Sequence, residues 1–140
     1  MTINELQDEI IEEFEFLEDW VDRYQLIIDW GKELKKDPLA ETDKTPQNVI
    51  DGCQSTVWIT CVYQDGKIYF KGDSDALLVT GIVALLIHVL TGHTPQEIVD
   101  ADLYFIDRIG LREHLSPTRN NGILAMLKQM KLYALAYKSM

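Results

Sequence analysis

The chain has 140 residues, of which 46% are hydrophobic and 26% are charged, and its formal net charge is −10. This length and composition predict one globular domain, because the chain is too short for two ordinary domains and too apolar for a disordered protein. A strongly acidic surface repels phosphate backbones and so disfavours direct binding of nucleic acid. It favours a protein partner that carries a basic patch.

The two cysteines, Cys53 and Cys61, are too few for a disulfide framework and do not form a CxxC pair. The N-terminal residues are acidic and amphipathic, unlike a signal peptide. The longest apolar run, residues 76–90, is shorter than the roughly 20 residues that a membrane span needs. We therefore expect a soluble, cytoplasmic protein that has reduced thiols and no contact with a membrane.

Helices are predicted in the N-terminal region, residues 3–35. Thr2 and Glu5 form a capping box before a helical repeat of apolar residues, and a second helix is predicted to begin near Asp19. A polar segment with two prolines follows at residues 35–48 and is typical of a surface loop.

A β-hairpin is predicted next, within residues 47–73, which also contain Cys53. The runs TVWITCVY and KIYFKG are rich in β-branched and aromatic residues, and Asp65-Gly66 between them is a hairpin turn signal. We expect a short antiparallel sheet of three strands here.

The last region, residues 75–138, is predicted to be helical. Ser74 is the expected cap of a long apolar helix, Thr94 that of a second helix and Ser116 that of the last one. Helices on both sides of one short sheet indicate a single α+β domain over residues 1–140.

Cys53 is the candidate nucleophile, and it lies in the turn sequence Asp51-Gly52-Cys53-Gln54-Ser55. Gly52 permits backbone shapes closed to other residues, and Gln54 and Ser55 offer hydrogen-bond donors to a thiolate. A reactive cysteine needs a polar, accessible position of this kind. Free cysteines are more commonly small buried hydrophobes, and the local sequence leaves both interpretations open.

Cys61 lies inside the first predicted strand, on the face opposite Trp58, and is predicted to be structural. The three histidines, His88, His93 and His114, are scattered along the chain. Since no histidine or cysteine pair has the spacing of metal ligands, we expect no metal site.

Arg119 is expected in the first turn of the last helix, where a cation is unfavourable beside the positive end of the helix dipole. This position predicts an anionic partner, either an acidic side chain or the Cys53 thiolate, although a surface arginine without a role remains an alternative. Asp73 and Asp75 flank Ser74 and are possible contacts for a partner protein.

Five stretches of the sequence carry a resemblance to a known family. They are RYQLIIDWGKEL, DKTPQNVIDGCQSTVWI, GDSDALLVTGIVALL, TPQEIV and LREHLSPTRNNGILAML. These stretches occur in the same order as in the SufE family of sulfur-acceptor proteins. The chain resembles that family from about Trp20 to the last helix. The resemblance implies a SufE/IscU-like fold.

The resemblance also implies a function. Cys53 would accept sulfur as a persulfide from a SufS-type cysteine desulfurase, stimulate that enzyme, and pass the sulfur to a SufBCD-type Fe–S scaffold. The chain would be a carrier rather than an enzyme, with no cofactor of its own, and residues 51, 52, 54, 55 and 119 would support Cys53. The alternative is a noncatalytic adaptor that docks on a desulfurase or scaffold without carrying sulfur.

Overall fold

The structure is a computed structural model that describes residues 1–50 and 55–139. Within these residues the α+β class is confirmed. The helices are α1 (Ile3–Glu15), α2 (Trp20–Leu34), α3 (Leu77–Leu90), α4 (Pro95–Asp100), α5 (Phe105–Arg108), α6 (Leu111–His114) and α7 (Pro117–Lys138). The strands are β1 (Val57–Gln64) and β2 (Lys67–Ser74), and two 3-10 turns, Glu41–Asp43 and Pro46–Asn48, precede them.

The strands β1 and β2 form an antiparallel hairpin, paired from Val57 with Ser74 to Gln64 with Lys67. The turn residues Asp65 and Gly66 both have positive φ, 53° and 79°, which is the backbone of a type I′ turn. The hairpin predicted at these two residues is therefore confirmed.

The prediction of three strands is wrong for the described part of the chain, where the sheet has two. Isolated bridges, Val49 with Trp58 and Ile68 with His93, flank the hairpin instead of a third strand. The segment before Val49 folds into the 3-10 turn Pro46–Asn48, and a proline cannot donate a hydrogen bond to a sheet. A longer pairing with β1 is thus prevented.

The helix α3 is the centre of the core, and most of its residues are buried. It packs against α2 on one side and against β2 on another. Its contact with α2 depends on two glycines: a Cβ atom on Gly81 would lie 2.0 Å from the Ile27 carbonyl oxygen, and one on Gly31 would lie 2.8 Å from the Gly81 nitrogen. The two backbones meet here without space for a side chain.

The helix caps lie at the residues predicted from the sequence, with one exception. The capping boxes at Thr2 and Thr94 are complete, and the Ser116 hydroxyl accepts the N–H of Arg119 at 3.3 Å. The cap predicted at Ser74 is wrong, because α3 begins at Leu77 with Ala76 at the cap position. Ser74 belongs to β2, where it pairs with Val57, and the helix can begin only after this strand ends.

We expect Gly81→Ala to destabilise the fold, because the added methyl group would force α2 and α3 apart. Overpacking of this kind costs about 1–3 kcal/mol, and more where backbone must move. Urea unfolding measures the loss, and Lys32→Ala on the exposed side of α2 is the control, with an expected change within about 0.5 kcal/mol. Equal unfolding midpoints for Gly81→Ala and the unmodified protein would contradict this packing.

Candidate functional site

The predicted site residues Asp51, Gly52, Cys53 and Gln54 lie outside the described residues. The residues on either side of them are described. The buried Ile50 donates its N–H to the Val57 carbonyl oxygen at 2.9 Å, and Ser55 is half-buried. The chain that leads into the cysteine segment, residues 51–54, is therefore attached to the base of the hairpin.

Hydrogen bonds to Thr56 fix the chain directly after Ser55. The Thr56 N–H donates to the Asp75 carboxylate at 3.1 Å, and the Asp75 N–H donates to the Thr56 carbonyl at 3.3 Å. The Ser74 hydroxyl donates to the same carbonyl at 2.8 Å. The start of β1 is thus joined to the end of β2 and to the segment that leads into α3.

A small pocket lies beside Ser55, with a volume of about 20 Å³. Its walls come from α3 and from the first half of α7, and the lining residues are Ser55, Val79, Ile82, Thr118, Arg119, Gly122, Ile123 and Met126. A pocket of this volume holds about one group of the size of a water molecule. The side chains of the walls are mainly apolar, and the polar residues are Ser55, Thr118 and Arg119.

The structure brings two of the predicted site residues, Ser55 and Arg119, to this one pocket. The Arg119 side chain is exposed, and among the described residues it forms no ion pair. The prediction that Arg119 holds an anion therefore stays a prediction. Sequence reasoning placed Arg119 in the first turn of the last helix but missed the apolar walls, which come from residues far apart in the chain.

The acidic residues Asp73 and Asp75 differ in their surroundings. Asp73 is buried, and its carboxylate contacts Lys35 Nζ at 2.8 Å and Lys44 Nζ at 3.3 Å. Burial by itself would raise the pKa of Asp73, but the hydrogen bonds from Lys35 and from the Ser74 N–H outweigh it and hold the pKa below its usual value. Asp75 is exposed, and of the two it is the one that a partner could reach.

Cys61 faces the core side of the sheet, where it pairs with Phe70, while Trp58 pairs with Asp73 on the other face. The predicted placement on opposite faces is confirmed. Burial raises the pKa of the Cys61 thiol to about 11, so at neutral pH the sulfur is almost entirely protonated. This thiol is a poor nucleophile.

Within residues 1–50 and 55–139, no three histidine, cysteine, aspartate or glutamate side chains are grouped so that they could hold a metal ion. In the same part of the chain, no helix combines the length and the apolar character that a membrane crossing requires.

One solved structure has nearly the same fold. The solution structure of a hypothetical protein from Thermus thermophilus superposes with a TM-score of 0.78, and the match covers 96% of this chain and 97% of that one. The two sequences are 19% identical. The likeness therefore concerns the fold alone.

Sequence comparisons give the family. Uncharacterized SufE-like proteins from Synechocystis and from Rhizobium meliloti are 43% and 40% identical to this chain, each over 129 residues. The matches cover 92% of this chain and 80% of the relative in the first case, and 89% and 91% in the second. The SufE family model, described as an Fe-S metabolism associated domain, matches residues 8–134. The chain belongs to the SufE family.

Proposed function

We propose that Cys53 accepts sulfur as a persulfide from a SufS-type cysteine desulfurase, activates that enzyme, and passes the sulfur to a SufBCD-type Fe–S scaffold. Membership of the SufE family supports a role in Fe–S metabolism. The observation that carries the finer proposal is the pocket in which Ser55, two residues after Cys53, meets Arg119. The proposed location is the cytoplasm, where thiols stay reduced.

The transfer is a thiol exchange. The Cys53 thiolate attacks the outer sulfur of the desulfurase persulfide, a new S–S bond forms at Cys53, and the S–S bond of the donor breaks. The donor cysteine leaves as a thiolate, and the transferred sulfur keeps its proton. Atoms and electrons balance without an oxidant, a metal or a cofactor on the acceptor.

A carried persulfide must be protected from water, oxidants and other thiols, yet it must reach a second protein. The pocket beside Ser55 has room for about one atom group, and its apolar walls would shield a sulfur atom. We propose that the Cys53 sulfur occupies this pocket in the free protein and leaves it when a desulfurase binds. A partner shifts such an equilibrium only if it binds the outward form more tightly.

Arg119 at the rim of the pocket has a role in this scheme. A cation near a thiol favours the thiolate and lowers the pKa of the cysteine. The Arg119 side chain is exposed, and it lines the same pocket as Ser55. Asp75, whose carboxylate accepts the N–H of Thr56 directly after Ser55, would contact a basic group of the desulfurase.

Cys53→Ser should abolish stimulation of a SufS-type desulfurase, because serine cannot take up the sulfur. The measurement is alanine or sulfide release at saturating cysteine, with and without the variant. Cys61→Ser is the matched control, and it should keep most of the stimulation with only a modest loss of stability. Full stimulation by Cys53→Ser would show that the protein acts as an adaptor.

The two thiols should differ in their reaction with iodoacetamide. At pH 8 a thiol with a pKa of about 11 is ionised to only about one part in a thousand, so Cys61 in the Cys53→Ser variant should react very slowly. Its rate should rise about tenfold for each pH unit up to about pH 11, provided that the fold survives, which circular dichroism would monitor. Rapid alkylation of Cys61 at pH 8 in folded protein would contradict its structural role.

Arg119→Ala should move the pH profile of Cys53 alkylation to higher pH and slow sulfur transfer at neutral pH, because the thiolate loses its nearby cation. Arg119→Lys should restore part of both effects. Since the side chain is exposed, the melting temperature of Arg119→Ala should change little. An unchanged pH profile together with an unchanged transfer rate would make Arg119 an ordinary surface residue.

A further inference from the structure

The last helix has an apolar face that no other described element covers. Leu124, Leu132 and Leu135 are 50%, 46% and 48% exposed, and the exposed Lys128 lies between them. Residues spaced by four, four and three positions lie on one face of a helix. We call these four residues, Leu124, Lys128, Leu132 and Leu135, the α7 stripe.

The α7 stripe lies on the side of the helix opposite its core contacts. Ile123, Met126, Met130 and Ala134 are buried against the rest of the fold, so the helix has apolar side chains on both faces. A helix of an isolated domain normally presents polar residues to water on its outer face. A second apolar face points to an interaction surface.

The charge that α7 itself carries is opposite to that of the protein as a whole. After Glu113 the chain contains no acidic residue, and its basic residues are Arg119, Lys128, Lys131 and Lys138. The whole chain has a net charge of −10. The partner that fits this face is therefore apolar with an acidic rim, because opposite charges at an interface favour association and fix its orientation.

The α7 stripe adjoins the residues that precede the cysteine segment. Lys128 and Leu132 line a groove together with Val49 and Ile50, and Cys53 follows Ile50 by three residues. Three residues span at most about 11 Å. A standard interface covers about 800 Å² of each partner, a disc of roughly 16 Å radius, so a protein centred on Cys53 would also cover this groove.

We infer that the α7 stripe is a docking face for the desulfurase and binds an apolar, acid-rimmed patch on that enzyme. This inference rests on the proposed function, since it takes the desulfurase as the sulfur donor. Docking then uses two charges of opposite sign near the residues that flank the cysteine segment, with Asp75 against a basic group of the enzyme and Lys128 against an acidic one. Such a pattern fixes one orientation of the carrier on its donor.

The experiment titrates a SufS-type desulfurase with the protein and its variants, and measures both the concentration for half-maximal stimulation and the maximal rate. Leu132→Glu and Lys128→Glu should raise the half-maximal concentration by about tenfold, as expected for residues inside an interface, with the maximal rate unchanged. Val21→Glu and Lys32→Glu, at exposed positions of α2, are the matched controls and should have little effect.

A second comparison of variants tests whether the partner surface is acidic. Leu132→Lys removes the same apolar contact as Leu132→Glu but adds the opposite charge, so it should weaken docking less if the partner is acidic. Equal effects of the two substitutions would overturn the assignment of charge. Lys128→Gln, which changes only a polar surface side chain, should keep the fold if a leucine variant unfolds, and it should weaken docking less than Lys128→Glu.

Normal titration curves for Leu132→Glu and Lys128→Glu would overturn the inference. So would a wild-type dimer that Leu132→Glu converts to a monomer without any change in stimulation, because the α7 stripe would then join two copies of this chain. Neither result concerns Cys53. The proposed function fails separately, through full maximal stimulation by Cys53→Ser.

Discussion

The geometry of the site depends on the ion pairs and the hydrogen bond of the buried Asp73 carboxylate. A buried charge is costly unless it is paired and hydrogen-bonded. Lys35 from the end of α2 and Lys44 from the loop that follows supply that pairing at 2.8 Å and 3.3 Å, and the Ser74 N–H adds a third contact at 2.8 Å. One carboxylate thus holds three separate parts of the chain together at the end of β2.

The consequences of this pairing reach the cysteine segment. Ser74, the neighbour of Asp73, donates its hydroxyl to Thr56, and Asp75 exchanges two hydrogen bonds with Thr56. Thr56 follows Ser55, which lines the pocket. The chain directly after Ser55 is therefore attached to the junction between β2 and α3, while the other walls of the pocket are formed by α3 and α7. A site held in place by hydrogen bonds between secondary-structure elements suits a segment that must deliver one atom to another protein.

Local signals in the sequence were sufficient for much of the fold. The capping boxes at Thr2 and Thr94 and the turn at Asp65-Gly66 were predictable because each depends on residues a few positions apart. The start of α3 was misplaced because Ser74 is also a strand residue, and pairing with Val57 is a contact between distant parts of the chain. The missing third strand in the described residues has a local origin instead, because the 3-10 turn Pro46–Asn48 lies directly before Val49.

The candidate site was predictable only in part, for the same physical reason. Cys53 and Arg119 could be selected from their neighbours in the sequence and from the family resemblance. The pairing of Lys35 with Asp73 joins residues that no spacing rule connects, and the walls of the pocket combine residues of two helices. The exposed face of α7 was also missed, because its leucines alternate along the sequence with buried residues such as Ile123, Met126 and Met130, and their exposure emerges only once the helix is packed.

The central claim is that Cys53 carries sulfur, and the most direct test is the mass of the intact protein after incubation with a SufS-type desulfurase and free cysteine. We expect a gain of one sulfur atom, located on the peptide that contains Cys53 and removed by a reducing agent. A mass that stays unchanged while the protein still stimulates the desulfurase would contradict the account.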